Sequence, residues 1–206
     1  MVKKEVLDKI SDYYTDKILE HGATPEGVDW NGEESQNKRF EQTSKIIGTK
    51  GKFSILDIGC GYGAYFNVLK ENYSNFEYTG FDISKEMIES AKSLHTAEDA
   101  NWIMNLEKGV KYDYVVSSGI FNVRLEETKE SWLDFVDSQL QIHDQYSTKG
   151  FSCNFLTSYS DSHKMRDYLH YEEPFRVFDI CKKVYSKDLA ILHDYGLCEF
   201  TLIVRK

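Results

Sequence analysis

Residues 55–63, ILDIGCGYG, constrain this chain more than any other stretch. Ile55, Leu56 and Ile58 form a short apolar run of the kind that makes a buried strand, and it leads straight into glycines at 59, 61 and 63. Beyond them Phe66, Leu69 and Tyr73 recur at helical spacing. Strand, glycine turn and helix in this order are where open α/β sheets bring a ligand against the backbone. Glycine accepts the dihedrals of a tight turn and places no Cβ in the ligand's way. The next strand-like segment, Tyr78–Ile83, contains Asp82 at its end, about 20 residues past the turn, where such folds place an acid on ribose hydroxyls. Asp57 sits on the first strand just before the loop.

Three ligands compete for a loop of this form. A phosphate-cradling loop needs Lys followed by Ser or Thr after its last glycine; here Ala64 and Tyr65 follow Gly63, so that reading fails. A dinucleotide loop has the pattern G-x-G-x-x-G, whereas this one is G-x-G-x-G, with Ala64 at a position where alanine replaces the third glycine. S-adenosylmethionine has no pyrophosphate to cradle, and its positive sulfonium tolerates Asp57 nearby.

ILDIGCGYG resembles the first motif of the class I S-adenosylmethionine-dependent methyltransferases, and YTGFDIS, with Asp82 and Ile83, resembles the second. The resemblance runs in register from about residue 40 onward. It implies that Asp57, Gly59, Cys60, Gly61, Tyr62, Gly63, Asp82 and Ile83 contact the cofactor, and that Asp99 and Ala100 lie beside its adenine. Tyr112–Ser118 is similar to the fourth-strand motif, which adds Ser117 and Ser118. The Asn-Pro-Pro-Tyr motif of enzymes that methylate amino groups of nucleic acids and proteins is replaced by Ser117-Ser118-Gly119-Ile120.

The rest of the chain fits that fold. Strands are expected near 53–58, 77–82, 101–104, 112–118, 149–156, 184–193 and 198–205, with helices near 63–73, 84–95, 129–146 and 174–183. Alternation of this kind predicts a mostly parallel sheet with helices on both faces. Only residues 194–197 separate the last two strands, too few for a crossover, so they form an antiparallel hairpin. The result is a Rossmann-like sheet of seven strands. Two helices near 4–20 and 33–47 precede it, so residues 1–48 read as a helical cap and 49–206 as the core of one methyltransferase domain.

Composition narrows the partners. A formal charge of −9 and a pI near 5.2 disfavour nucleic acid, and Lys182-Lys183 makes no basic patch. No run of 18 apolar residues or signal-peptide pattern occurs, and the cysteines at 60, 153, 181 and 198 form no C-x-x-C pair, so the reading is cytoplasmic, with no membrane partner and no metal. The expected partner is a small-molecule methyl acceptor, and the chain itself a monomer or homodimer. Two alternatives stand beside this: a nicotinamide-dependent oxidoreductase, and a non-catalytic S-adenosylmethionine-binding regulatory module.

Ligands in open parallel sheets bind outside the carboxyl ends of the strands, which selects further candidates. Asp82 reads as a ribose ligand or as a capping acid ahead of Ser84; Asp57 reads as a contact to the cofactor's amino group or as a brace for the loop. Trp30 and Arg39 either close over the cofactor, Arg39 on its carboxylate, or serve as core anchor and solvated helix residue. Asn122, Tyr159 and Asp194 are expected around the acceptor. His193 is the candidate base, since imidazole titrates near neutrality, or else part of the hairpin turn His193-Asp194-Tyr195-Gly196.

Overall fold

A computed structural model describes residues 4–48, 51–95 and 100–206. Its elements in chain order are α1 (Lys4–His21), α2 (Glu33–Ser44), β1 (Phe53–Ile58), α3 (Ala64–Asn72), β2 (Phe76–Phe81), α4 (Lys85–Leu94), β3 (Ala100–Ile103), β4 (Tyr112–Ser117), α5 (Lys129–Tyr146), β5 (Ser147–Leu156), α6 (Pro174–Val184), β6 (Asp188–Leu192) and β7 (Glu199–Arg205). The strands form one seven-stranded sheet in the order β3-β2-β1-β4-β5-β7-β6. β3, β2, β1, β4 and β5 are parallel, and β7 runs antiparallel to both of its neighbours. This is the expected Rossmann-like architecture with its antiparallel closure.

The pleat explains why β1 is apolar on both sides. Leu56 and Ile58 join Val115, Trp132, Val136 and Leu140 in a core that packs α1, α5 and α6 on one face. Ile55 joins Phe66, Leu69, Tyr78, Ile88 and Tyr114 in the core under α2, α3 and α4 on the other. α2 thus lies on the second face, whereas α1 starts against the first and crosses the rim where the parallel strands end to reach α4.

Helix starts follow local chemistry. Ser84 Oγ accepts from Met87 N–H at 3.3 Å, capping α4 as expected. Thr128 caps α5 in the same way, and α6 opens with Pro174 behind a Glu173 cap. Two boundaries differ from expectation by three residues or more. α2 stops at Ser44 because Ile46, 1% exposed, has to turn into the core. β6 starts at Asp188 rather than near 184, because α6 continues to Val184 before the chain turns.

Candidate active site

Above the carboxyl ends of β1, β2 and β4 lies a cavity of about 230 Å³. Its floor is the β1–α3 loop, in which Gly59, Gly61 and Gly63 take φ of 76°, 55° and 84°. Gly59 and Cys60 N–H both donate to Phe81 O, at 2.7 and 3.1 Å, which pins the loop to the end of β2. A Cβ on Gly59 would lie 2.2 Å from Ile120 Cγ2, so the loop and the β4 segment approach as closely as only glycine allows.

Asp82 follows β2 and is 9% exposed. Gly61 N–H donates to its Oδ2 and Ser84 N–H to its Oδ1, both at 2.9 Å. Burial raises its pKa, opposed by these amides and that of Ile83. Asp57 is 4% exposed and its Oδ2 accepts the Tyr78 hydroxyl at 2.7 Å. Burial pushes Asp57 up to about 7, against the Tyr78 hydrogen bond and helped by the charge of Asp82. Both readings of Asp82 have a counterpart: it lines the cavity and it binds the amide of the α4 N-cap residue.

Cys60, Tyr62, Ile83, Ser118 and Trp30 also line this cavity. Sequence reasoning did not single out several other walls: Tyr14 from α1, Gln36 and Phe40 from α2, Leu106 past β3, and Phe135 and Gln139 from α5. Tyr14, Phe40 and Phe135 read in sequence as apolar helix positions, which does not say what they cover, and Gln36, Leu106 and Gln139 carry no pattern that marks a site. Gly63 and Ala100 stand outside the cavity lining; a Cβ on Gly63 would meet Trp102 at 2.5 Å, so its role in the fold is to let α3 start against that ring. Asp99 lies outside the described residues.

Five further expected site residues also lie outside this cavity. Ser117 is fully buried behind the strand end, in a 2.9 Å hydrogen bond with His143 Nε2, because its place in the pleat points it into α5. Arg39 does not line the cavity. Its Nε and Nη2 grip Glu199 of β7, with contacts of 2.9, 2.7 and 2.5 Å, and its guanidinium stacks 3.8 Å from the Trp30 ring. A buried carboxylate is a better partner for a buried guanidinium than solvent, and Asn154 Nδ2 adds a third donor to Glu199 at 3.0 Å. His193, Asp194 and Tyr159 lie outside the cavity; His193 and Asp194 are exposed, and Tyr159 stacks loosely near His193 with ring centres 6.2 Å apart. β6 is the edge strand, and β5 and β7 stand between it and β4, a span of about 14 Å at usual strand spacing.

Asn122 lines a second chamber of about 470 Å³, where its Oδ1 also accepts Leu156 N–H at 3.2 Å. Trp30, Tyr14, Val28 and Gly119 line both spaces, so the two meet at these four residues. The far wall of the second chamber is the segment 160–171, and Arg39 and Glu199 form part of its base.

Fold and cavity together define an α/β protein whose glycine loop and Asp82 have the arrangement of an adenosine-type ligand site. Residues 56–141 match the family model described as a methyltransferase domain. Over 163 residues the chain is 45% identical to "Putative methyltransferase Rv1506c" of Mycobacterium tuberculosis, spanning 79% of this chain and 98% of that protein. Among solved structures, the DhpI-SAM-HEP complex superposes with a TM-score of 0.68 at 12% identity, covering 98% of this chain and 99% of the other. Magnesium protoporphyrin IX methyltransferase from Synechocystis PCC 6803 with bound SAH superposes with a TM-score of 0.65 at 13% identity, over 98% of each chain. The chain belongs to the class I S-adenosylmethionine-dependent methyltransferases. That membership displaces the nicotinamide alternative.

The cavity suits this cofactor on its own chemistry. Its only charged lining groups among the described residues are Asp57 and Asp82, which fit a cation carrying ribose hydroxyls and not a pyrophosphate. Ser118 Oγ is buried in its wall without a hydrogen-bond partner, a donor or acceptor left for a ligand. A Cβ on Gly61 would come within 3.0 Å of Val28 and fill the gap between loop and cap.

Proposed function

We propose that this chain methylates a small-molecule acceptor seated in the second chamber. One observation carries the reading: the cofactor cavity and the chamber share Tyr14, Val28, Trp30 and Gly119, so a donor in one and an acceptor in the other meet there. S-adenosylmethionine supplies an electrophilic methyl group whose departure leaves a neutral thioether. In this reading Asp82 holds the ribose hydroxyls, the Gly59–Tyr62 backbone lies along the cofactor, and Asp57 faces its amino end.

The meeting point contains no group that titrates near neutrality. Burial, with Asp29, Asp82 and Tyr168 adding to it, keeps the Tyr14 hydroxyl protonated well above its ordinary range, so it serves as a hydrogen-bond donor and not as a base. The protein's contribution is then alignment and exclusion of water, which in well-oriented systems supplies up to roughly 7–11 kcal/mol. Trp30 is central to both, because Arg39 and Glu199 fix its ring between the two spaces.

The test is a binding and transfer pair. Calorimetry on wild type and Asp82→Ala should show S-adenosylhomocysteine binding that weakens by roughly a hundredfold, the scale of two charge-assisted hydrogen bonds. Methyl-tritiated cofactor incubated with a metabolite extract and with total macromolecules should label a dialysable product. Binding of the cofactor with label only in the acid-precipitable fraction would refute the small-molecule acceptor.

A further inference from the structure

The two spaces differ in electrostatic sign. The cofactor cavity has acidic groups and no cationic lining residue, whereas the second chamber is lined by Arg39, Lys164 and Arg166 alongside Asp29 and Glu199. Both of those acids are already satisfied. Asp29 takes Lys17 at 2.9 Å and the Tyr13 hydroxyl at 2.8 Å. Glu199 takes Arg39 and Asn154. Lys164 pairs with Asp161 at 2.7 Å outside the chamber lining, an exposed contact of the kind that contributes little. Arg166 has no carboxylate partner among the described residues; its Nη1 only approaches the neighbouring Met165 O at 3.4 Å. In a chain of formal charge −9, the chamber therefore keeps uncompensated positive charge.

These cations sit on a built wall. Arg124 donates to the carbonyls of Leu169, Glu127 and Asp167, and Arg124 and Leu125 N–H both reach Tyr168 O at 3.0 Å. Glu172 Oε2 accepts from Arg176 at 2.8 Å and contacts His170 Nε2 at 3.1 Å, anchoring the segment's other end. The Tyr171 hydroxyl accepts Arg166 N–H at 3.0 Å. Tyr168 and Tyr171 join Trp30 in giving the chamber aromatic surface.

Resting on the reading of this chamber as the acceptor site, we propose that the acceptor is an anion. Its carboxylate or phosphate lies against Arg166 and Lys164, with the methyl-accepting atom at the far end, beside Trp30 and Gly119. Electrostatic selection is then opposite for the two ligands: the acidic cavity favours the sulfonium, and the chamber favours the acid.

The experiment titrates the protein, saturated with S-adenosylhomocysteine, with benzoate, phenyl phosphate, benzamide and benzylamine at constant ionic strength. At least one anion should bind roughly tenfold tighter than benzamide, the scale of one charge-assisted hydrogen bond, and benzylamine weakest. Which anion leads distinguishes a carboxylate acceptor from a phosphate one. Arg166→Gln combined with Lys164→Gln should reduce that preference to near unity with S-adenosylhomocysteine affinity unchanged; Lys182→Gln should leave both as they were. Equal or better binding of benzamide or benzylamine, no anion binding up to millimolar concentration, or a preference that survives the double variant would each overturn the proposal. Cofactor binding intact in those cases leaves the methyltransferase reading standing, whereas no S-adenosylhomocysteine binding at all would overturn both.

Discussion

Glu199→Gln should be among the most damaging conservative substitutions in the chain. Arg39 and Glu199 side chains are 6% and 2% exposed, and the carboxylate receives three contacts from the guanidinium and one from Asn154. Removing its charge leaves a buried guanidinium uncompensated, and Arg39 Nη1 already lacks a partner. Breaking a buried pair in this way costs about 3–5 kcal/mol, a large part of the 5–15 kcal/mol that holds a typical domain together. At this chain length that is a fall in Tm of about 6–20 °C. Urea unfolding of wild type, Glu199→Leu, Arg39→Met and the double variant measures the coupling. The double variant, with no buried charge, should be more stable than either single one. If Glu199→Gln shifts stability by less than about 1 kcal/mol, or the single effects simply add, the pair does not tie α2 to β7.

Gly59→Ala combines a left-handed φ with a Cβ 2.2 Å from Ile120 Cγ2, so a loss of about 2–4 kcal/mol and of cofactor binding is expected. Adding Ile120→Ala should recover only the steric part, as read by thermal unfolding. Asp57, held near 7, is protonated in roughly half the ligand-free molecules at neutral pH. A cationic ligand brought against it should release about half a proton, seen as buffer-dependent binding enthalpy that disappears in Asp57→Asn. Its raised pKa also makes ligand-free stability fall as pH rises from 3.8 to about 7. His143 acts in the other direction. Burial lowers it to about 4 from 6.5, so the unfolded chain takes up a proton that the folded chain refuses, and stability is lost as pH falls across that window. The difference between wild type and His143→Gln should therefore shrink by about 3 kcal/mol between pH 7 and pH 4 in chemical unfolding; no change would remove His143 as a pH-sensitive group.

The cofactor loop was legible in the residues because its constraints are local. A buried strand, glycines that alone tolerate φ near 76° beside a neighbouring chain, and an acid at the next strand's end are properties of adjacent residues and show in linear order. The short gap before β7 likewise forced the antiparallel closure. Partners far apart in the chain were settled only in three dimensions. Arg39 looked free to reach the cofactor until folding set Glu199 against it, 160 residues away. Ser117 and Ser118 are neighbours, yet the alternation of β4 sends one to His143 and leaves the other in the cavity wall. His193 follows a strand at the correct rim, but strand order, which no local pattern encodes, puts β5 and β7 between it and the chemistry. The second chamber follows the same rule: Trp30, Gly119, Arg166 and Glu199 share it because the sheet and the loops crossing its rim bring them there, and long-range packing of that kind has no signature in sequence spacing.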